Sequence, residues 1–301
     1  MKTNRTYSDP FMLPVSDELT RQVGILHKEI SSALSEMEQS RGLGSNESMI
    51  AKTKYDSLRT IRERFYTMIA LRNHLEPDLW EALIRTIRND SFERLVATQS
   101  IEAFVVSLDI RRSTTLMLNA KDPEAFAHFI FTLCSRLRQI IWDNQGIFEK
   151  FTGDGILACF PPKFTGENAA LATLKAAEEC LRAYKEIYEN HRDDFHVVNP
   201  DLGLGIGIDF GPVFLGLALA GLTIVGRPVV YACRLSSAES GRIAINQQAK
   251  KKMSDCLHDG IEFEDIIVPV KNELAISAYS AKIKNDIALS IIEPGWKKYF
   301  C

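Results

Sequence analysis

Two aspartates, Asp109 and Asp154, stand 45 residues apart, each at the end of an apolar run and next to a tight turn. The first closes the run in Phe104-Val-Val-Ser-Leu-Asp109-Ile-Arg-Arg-Ser-Thr114. The second lies in Gly146-Ile-Phe-Glu-Lys-Phe-Thr-Gly-Asp154-Gly-Ile-Leu-Ala-Cys-Phe160. Carboxylates that end neighbouring strands can converge on one pair of metal ions, and paired metals suit phosphoryl chemistry. A lone aspartate after a strand is ordinarily a turn residue, and Asp-Gly is a common hairpin turn. The case for an enzyme therefore rests on the two together.

Composition narrows the partners. A formal charge of -3, with no long Lys/Arg run, excludes general nucleic-acid affinity. Lys250-Lys251-Lys252 reads as a solvated helix face. The six cysteines, at 134, 159, 180, 233, 256 and 301, form no C-x-x-C pair. They fit buried free thiols in a reducing compartment better than disulfides or zinc. Met1 to Pro14 lacks the apolar core of a signal peptide, and no run is long and apolar enough to span a membrane. The expectation is a soluble cytoplasmic protein with no membrane contact.

Residues 1–99 read as an all-helical module. Leu19, Val23, Leu26, Ile30, Ala33 and Met37 alternate steps of four and three, an a/d seam suited to pairing helices. The polar stretch Ser40–Glu47 breaks the pattern as a loop. A second helix carries Leu58, Ile61, Phe65 and Met68, and a third, after Pro77, carries Leu79, Leu83, Ile87 and Leu95. From about residue 100 the texture becomes α/β. Ala103–Leu108 reads as a strand, Asp122–Gln145 as a helix, Gly146–Phe160 as a hairpin turning at Gly153-Asp154-Gly155, and Asn168–Asn190 as a long helix. Leu202–Leu215 is strand-like with a turn at Gly211-Pro212. Val229–Glu239 starts a helix, Arg242–Asn246 is a short strand, and Glu262–Lys284 reads as strands. A tail follows over 285–301.

Around the two aspartates, the segment Ile110 to Thr114 leads into a helix whose N–H groups can meet phosphate oxygens. The glycine-flanked turn at Asp154 admits close approach of a ligand. Here the chain resembles the class III nucleotidyl (adenylate/guanylate) cyclases, over roughly residues 100 to 282. Asp109-Ile-Arg-Arg-Ser-Thr resembles the first metal motif and Lys150-Phe-Thr-Gly-Asp154 the second. Gly205-Ile-Gly-Ile-Asp-Phe-Gly-Pro-Val-Phe-Leu-Gly216 resembles the central glycine-rich strand pair. Gly226-Arg-Pro-Val-Val-Tyr-Ala-Cys-Arg-Leu235 resembles the helix that carries the catalytic arginine.

The resemblance implies an α/β (α+β) fold, a ferredoxin-like, palm-type catalytic domain over 100–284 behind the helical module. It implies two Mn²⁺ or Mg²⁺ ions on Asp109, Asp154 and the Ile110 carbonyl, activating a ribose 3′-hydroxyl against an α-phosphate. Arg234 would stabilise the transferring phosphoryl group. Arg111, Ser113 and Thr114 would meet the substrate, and Lys150 with Thr223 would read its base. The site would straddle a head-to-tail homodimer, Asp109 and Asp154 from one chain, Lys150, Thr223 and Arg234 from the other.

Three departures stand out. The position four before Arg234, usually an asparagine that orients the ribose, is Val230. Arg227 follows Gly226 where a small or acidic residue is common. The triphosphate lysine near the last strand has only Lys271 as a candidate, with Glu273 at the better-aligned position. These departures resemble the pyrimidine cyclases of bacterial Pycsar anti-phage systems. Their resemblance implies conversion of UTP or CTP to a cyclic nucleotide read by a separately encoded effector. Arg227 and Phe148 are then base-contact candidates, although Phe148 at that spacing also suits the core. Two alternatives stay open: an adenylate cyclase, which the Lys150 and Thr223 pair favours, and a degenerate nucleotide-binding module.

Overall fold

The computed structural model describes residues 17–40, 45–85, 100–196, 201–218, 221–270 and 274–284. It divides the chain into two compact units, Met1–Asn73 with Pro77–Ala97, and His74–Glu76 with Thr98–Cys301.

The first unit holds three described helices, α1 (Asp17–Gln39), α2 (Ser45–Leu71) and α3 (Pro77–Arg85). Along α1 the seam residues Leu26 and Ala33 are buried, and Val23, Ile30 and Met37 are half-buried. That stripe packs on α2, which buries Phe65, Met68 and Leu71. In α3, Leu79 and Trp80 are buried, and the Trp80 indole N–H donates to the Met68 carbonyl at 2.8 Å. Ile87 and Leu95, assigned to this helix from their spacing, lie outside the described residues.

The second unit runs β1 (Ser100–Arg111), α4 (Ser113–Leu118), α5 (Pro123–Asp143), β2 (Ile147–Phe151), β3 (Gly155–Phe160), α6 (Pro162–Thr165), α7 (Ala169–Asn190), β4 (Gly203–Ala218), β5 (Gly221–Val225), α8 (Arg227–Leu235), β6 (Ile243–Ile245), α9 (Gln247–Leu257), β7 (Ile261–Val268) and β8 (Ile276–Ile283). The strands form one sheet in the order β2-β3-β1-β4-β6-β8-β7, with β5 paired to β4. All pairs are antiparallel except β4 with β6. Residues 103–108 of β1 and all of β3 are sealed from water, as the apolar runs predict for strands covered on both faces. The helices α5 and α7 pack on each other and on the sheet. Asp122 begins α5 as an N-cap, its carboxylate accepting the Ala125 N–H at 2.8 Å.

β4 corrects one expectation. It continues through Gly211-Pro212, where the sequence suggests a turn. Between its pairing with β6, which ends at Ile208, and with β5, which begins at Phe214, that flank of β4 has no strand beside it. A proline fits there without interrupting a second ladder. Among the described residues five cysteines are free: Cys134, Cys159 and Cys180 are buried as expected, whereas Cys233 and Cys256 are exposed. No described helix is long and apolar enough to cross a membrane.

The glycines of β4 let α8 lie on the sheet. A Cβ on Gly207 would come within 2.0 Å of the Ala232 carbonyl oxygen, which is backbone and cannot swing aside. Gly207→Ala should therefore lower stability by about 3 kcal/mol, the upper range for overpacking. A urea titration checks this, and a midpoint equal to the parent would mean that α8 shifts freely.

Candidate active site

The register of β1 positions the first carboxylate. Asp109 faces Gly155 across the β1–β3 ladder, and the Ile110 N–H donates to the Asp154 carbonyl at 3.0 Å. The two aspartates thus occupy adjacent positions at the end of neighbouring strands. Gly155 makes the approach possible, because a Cβ there would fall 1.9 Å from the Leu108 carbonyl oxygen. Burial, and then the negative charge of Asp154, hold the Asp109 carboxyl above the usual carboxylate range. Arg111 opposes this, its Nη1 lying 2.7 Å from Asp109 Oδ2.

The loop after β1 serves the second carboxylate. Arg112 adopts a left-handed conformation (φ 59°) at the N-terminus of α4 and pairs with Asp201 at 3.0 Å. Few non-glycine residues sit there, and such strain gathers at functional sites. The turn brings Ser113 to Asp154, where its hydroxyl donates to Oδ2. Thr114 is exposed beside it.

The donor set here is compatible with Mg²⁺ or Mn²⁺. Among the described residues no cluster of three or more His, Cys, Asp or Glu side chains is present. Mg²⁺ and Mn²⁺ do not need one, since they complete their shells with water and substrate phosphates around one or two carboxylates. Burial raises Asp109 most and the charge of Asp154 adds to it; a divalent cation between the aspartates would offset that added repulsion.

The remaining candidates lie on other elements. Lys150 is exposed on β2 and Thr223 half-buried on β5, and these two strands touch. Val230 and Arg234 are one turn apart on α8, so they share a face; Val230 is 48% exposed, a large exposure for an apolar side chain. Phe148 is buried and packs on Phe151 with ring centroids 4.8 Å apart. Arg227 lies over the Tyr231 ring at 5.6 Å and lines a cleft of about 200 Å³ with Asp209, Pro228 and Asn246. Lys271 and Glu273 lie outside the described residues.

No protein-family model matches the sequence, and no curated protein matches it. The adenylyl cyclase CyaB from P. aeruginosa superimposes with a TM-score of 0.55 at 24% identity, covering 64% of this chain and 100% of that one. The guanylyl cyclase Cya2 gives 0.54 at 20% identity, covering 65% and 99%. A bacterial light-regulated adenylyl cyclase gives 0.50 at 17% identity, covering 81% of this chain and 65% of that one. The fold is that of class III cyclase catalytic domains.

Three side chains around the candidates were not singled out by sequence reasoning. Asp209, buried on β4, is pushed up to about 6 by burial, against the Phe210 N–H, Asn246 and Arg227 that draw it down. Glu149 is buried beside Lys150, and His74 bridges β2 and β5. The only signal for Glu149 was a charge inside an apolar run; His74 gave none.

A carboxyl whose pKa folding raises favours the fold only while protonated. Its contribution is present below the ordinary carboxylate range and lost as pH climbs through the raised value. Asp109→Asn should therefore raise the thermal midpoint of the metal-free protein at pH 7, an advantage that fades below about pH 4. Added Mn²⁺ should stabilise the parent but not the variant. Thermal melts at both pH values, with and without the metal, check both points.

Proposed function

We propose that this chain is a nucleotidyl cyclase that converts a pyrimidine nucleoside triphosphate, UTP ahead of CTP, to its 3′,5′-cyclic monophosphate and pyrophosphate. The observation that carries the cyclase reading is the placing of Asp109 and Asp154 side by side, with Arg111 and Ser113 bonded to them. Asp109 and Asp154, with the Ile110 carbonyl, would hold Mg²⁺ or Mn²⁺, whose charge favours an ionised 3′-hydroxyl and a departing pyrophosphate. The 3′-oxygen forms the new bond to the α-phosphorus, the bond to the bridging oxygen breaks, and the hydroxyl proton passes to solvent.

The chain's own residues orient these groups. Ser113 fixes one oxygen of Asp154, leaving the other to face the substrate. Arg111, Ser113 and Thr114 line the approach to the phosphates. Arg234, supplied by the second chain of a head-to-tail homodimer, stabilises charge on the transferring phosphoryl group. Lys150 and Thr223 of that second chain face the base. The likeness of fold to adenylyl and guanylyl cyclases supports the reaction class.

Val230 supports the pyrimidine reading. A purine cyclase of this family uses an amide there to orient the ribose, and an apolar side chain changes which nucleotides sit productively. Arg227 is proposed as a donor to pyrimidine carbonyl oxygens. Lys150 with Thr223 favours the second reading, cyclic AMP synthesis. In the defence setting that the sequence resembles, the product would act through a separately encoded effector in the cytoplasm.

Mass spectrometry of products from each of the four ribonucleoside triphosphates with Mn²⁺ tests the proposal. Cyclic UMP or CMP that disappears in Asp109→Ala is the expected result, cyclic AMP would establish the second reading, and no product from any of the four would sink both. Arg234→Ala should lower kcat by roughly 10²–10³-fold. Equal amounts of Asp109→Ala and Arg234→Ala protein, each inactive alone, should on mixing recover about a quarter of parental activity, because half the dimers regain one intact site.

A further inference from the structure

Among the described residues, the strands that carry Lys150 and Thr223 share no ladder: β2 ends the sheet order, and β5 pairs with β4. Something else must set the spacing between them. Two side chains lie across the gap, the half-buried His74 and the buried Glu149.

His74 stands three residues beyond the end of α2 and belongs to the catalytic unit. It pairs with the edge of β2 as a one-residue strand would: the Phe148 N–H donates to the His74 carbonyl at 2.9 Å. Its ring then reaches both strands. Nδ1 is 2.9 Å from the Phe148 carbonyl oxygen, and the Leu222 N–H of β5 lies 3.2 Å from Nε2. A carbonyl needs a donor and an N–H needs an acceptor, so only the neutral ring protonated on Nδ1 satisfies both. Burial lowers the His74 pKa, which keeps the ring in that neutral form.

Glu149 lies next along β2, at the point where the β2–β3 register shifts between Phe148 and Lys150. The bulge turns Glu149 inward, leaving it 2% exposed while Lys150 faces solvent. Its carboxylate is sealed from water without a well-directed hydrogen bond. Its polar neighbours are Lys150 Nζ, 3.1 Å from Oε1, and the Ile224 N–H of β5, and both draw down a carboxyl that burial raises. The contacts bracket the pair: His74 holds Phe148 and Leu222, and Glu149 adjoins Lys150 and Ile224.

We propose that His74 and Glu149 are positioning residues that fasten β2 to β5 and so fix the spacing of Lys150 and Thr223, on which base selection depends. The inference rests on the cyclase reading for what the pair selects, but the fastening does not depend on turnover. Glu149 also restrains Lys150 directly, so the ammonium meets the base edge from one side. His74 has no part in the metal half of the site.

The test uses the full-length protein. Discrimination is read as competition of the four ribonucleoside triphosphates, in Ca²⁺, for a bound fluorescent nucleotide, which reports base selection with or without catalysis. His74→Phe, His74→Gln (which keeps only the Leu222 end) and Glu149→Gln should each cut the ratio of preferred to next-best affinity about tenfold. Inhibition by inorganic pyrophosphate, which reads the metal and phosphate half, should stay at the parental value. Nitrogen NMR of the parent should show His74 as the neutral Nδ1–H tautomer. Folded variants with parental discrimination would overturn the proposal, as would the Nε2–H tautomer or a parent that binds all four nucleotides equally. A parent that discriminates among nucleotides yet cyclises none would sink the cyclase reading and leave the fastening standing.

Discussion

Two carboxylates brought together at the end of adjacent strands repel each other, and the fold must hold them there regardless. The restraint lies in β1, which is paired on both flanks from Phe104 to Asp109. A slip of one residue against either neighbour would turn its buried side chains to the opposite face. Packing therefore holds the register, and the register holds Asp109 beside Asp154. Local groups then offset the repulsion: Arg111 lies on Asp109, Ser113 donates to Asp154, and Asp109 still stays above the ordinary carboxylate range. On the proposed function, this is where a divalent cation would offset the remaining repulsion.

The other candidates are carried by elements that reach the sheet by different means. α8 is seated on β4 by close backbone contact at Gly207, and the residues just past its end by contact at Gly205, so its outward face is held in place on the sheet. That face presents Val230 and Arg234 one turn apart. β2 and β5 have no shared ladder, and side chains bridge them instead. The proposed metal half, held by strand register, and the proposed base half, held by side-chain bridges, should respond differently to substitution. The first fails through the core, whereas the second can loosen while the fold survives.

Much of this was legible in the sequence because it depends on local pattern. The apolar runs ending at Asp109 and flanking Asp154 marked β1, β3 and the turn between β2 and β3, and the a/d spacing from Val23 to Met37 marked the buried stripe of α1. Gly211-Pro212 misled, because a Gly-Pro pair signals a turn unless one flank of the strand is unpaired, which only the topology reveals. His74 could not have been found. Its role comes from Phe148 and Leu222, which are 74 and 148 residues away in the chain and meet only when β2 and β5 do. Glu149 was visible as an odd charge, but its inward turn follows from a bulge that no residue type announces.

Arg227 shows how such placement changes the meaning of a residue. From the sequence it is a cation where the adenylate cyclases it resembles often carry a small or acidic residue, and a base contact is the natural reading. In the fold it lies at the first turn of α8, over Tyr231, and its charge helps draw down the buried carboxyl of Asp209. Asn246 hydrogen-bonds the same carboxyl and caps α9 through the Ala249 N–H at 3.0 Å. Removing the cation would leave Asp209 less compensated and loosen the start of α8, seven residues before Arg234. A change of nucleotide preference in an Arg227 variant would therefore have two causes, a lost contact to the base or a displaced helix. They separate in the kinetics. On the proposed roles, a lost base contact changes the ranking of the four nucleotides, whereas a displaced Arg234 lowers kcat for all of them alike.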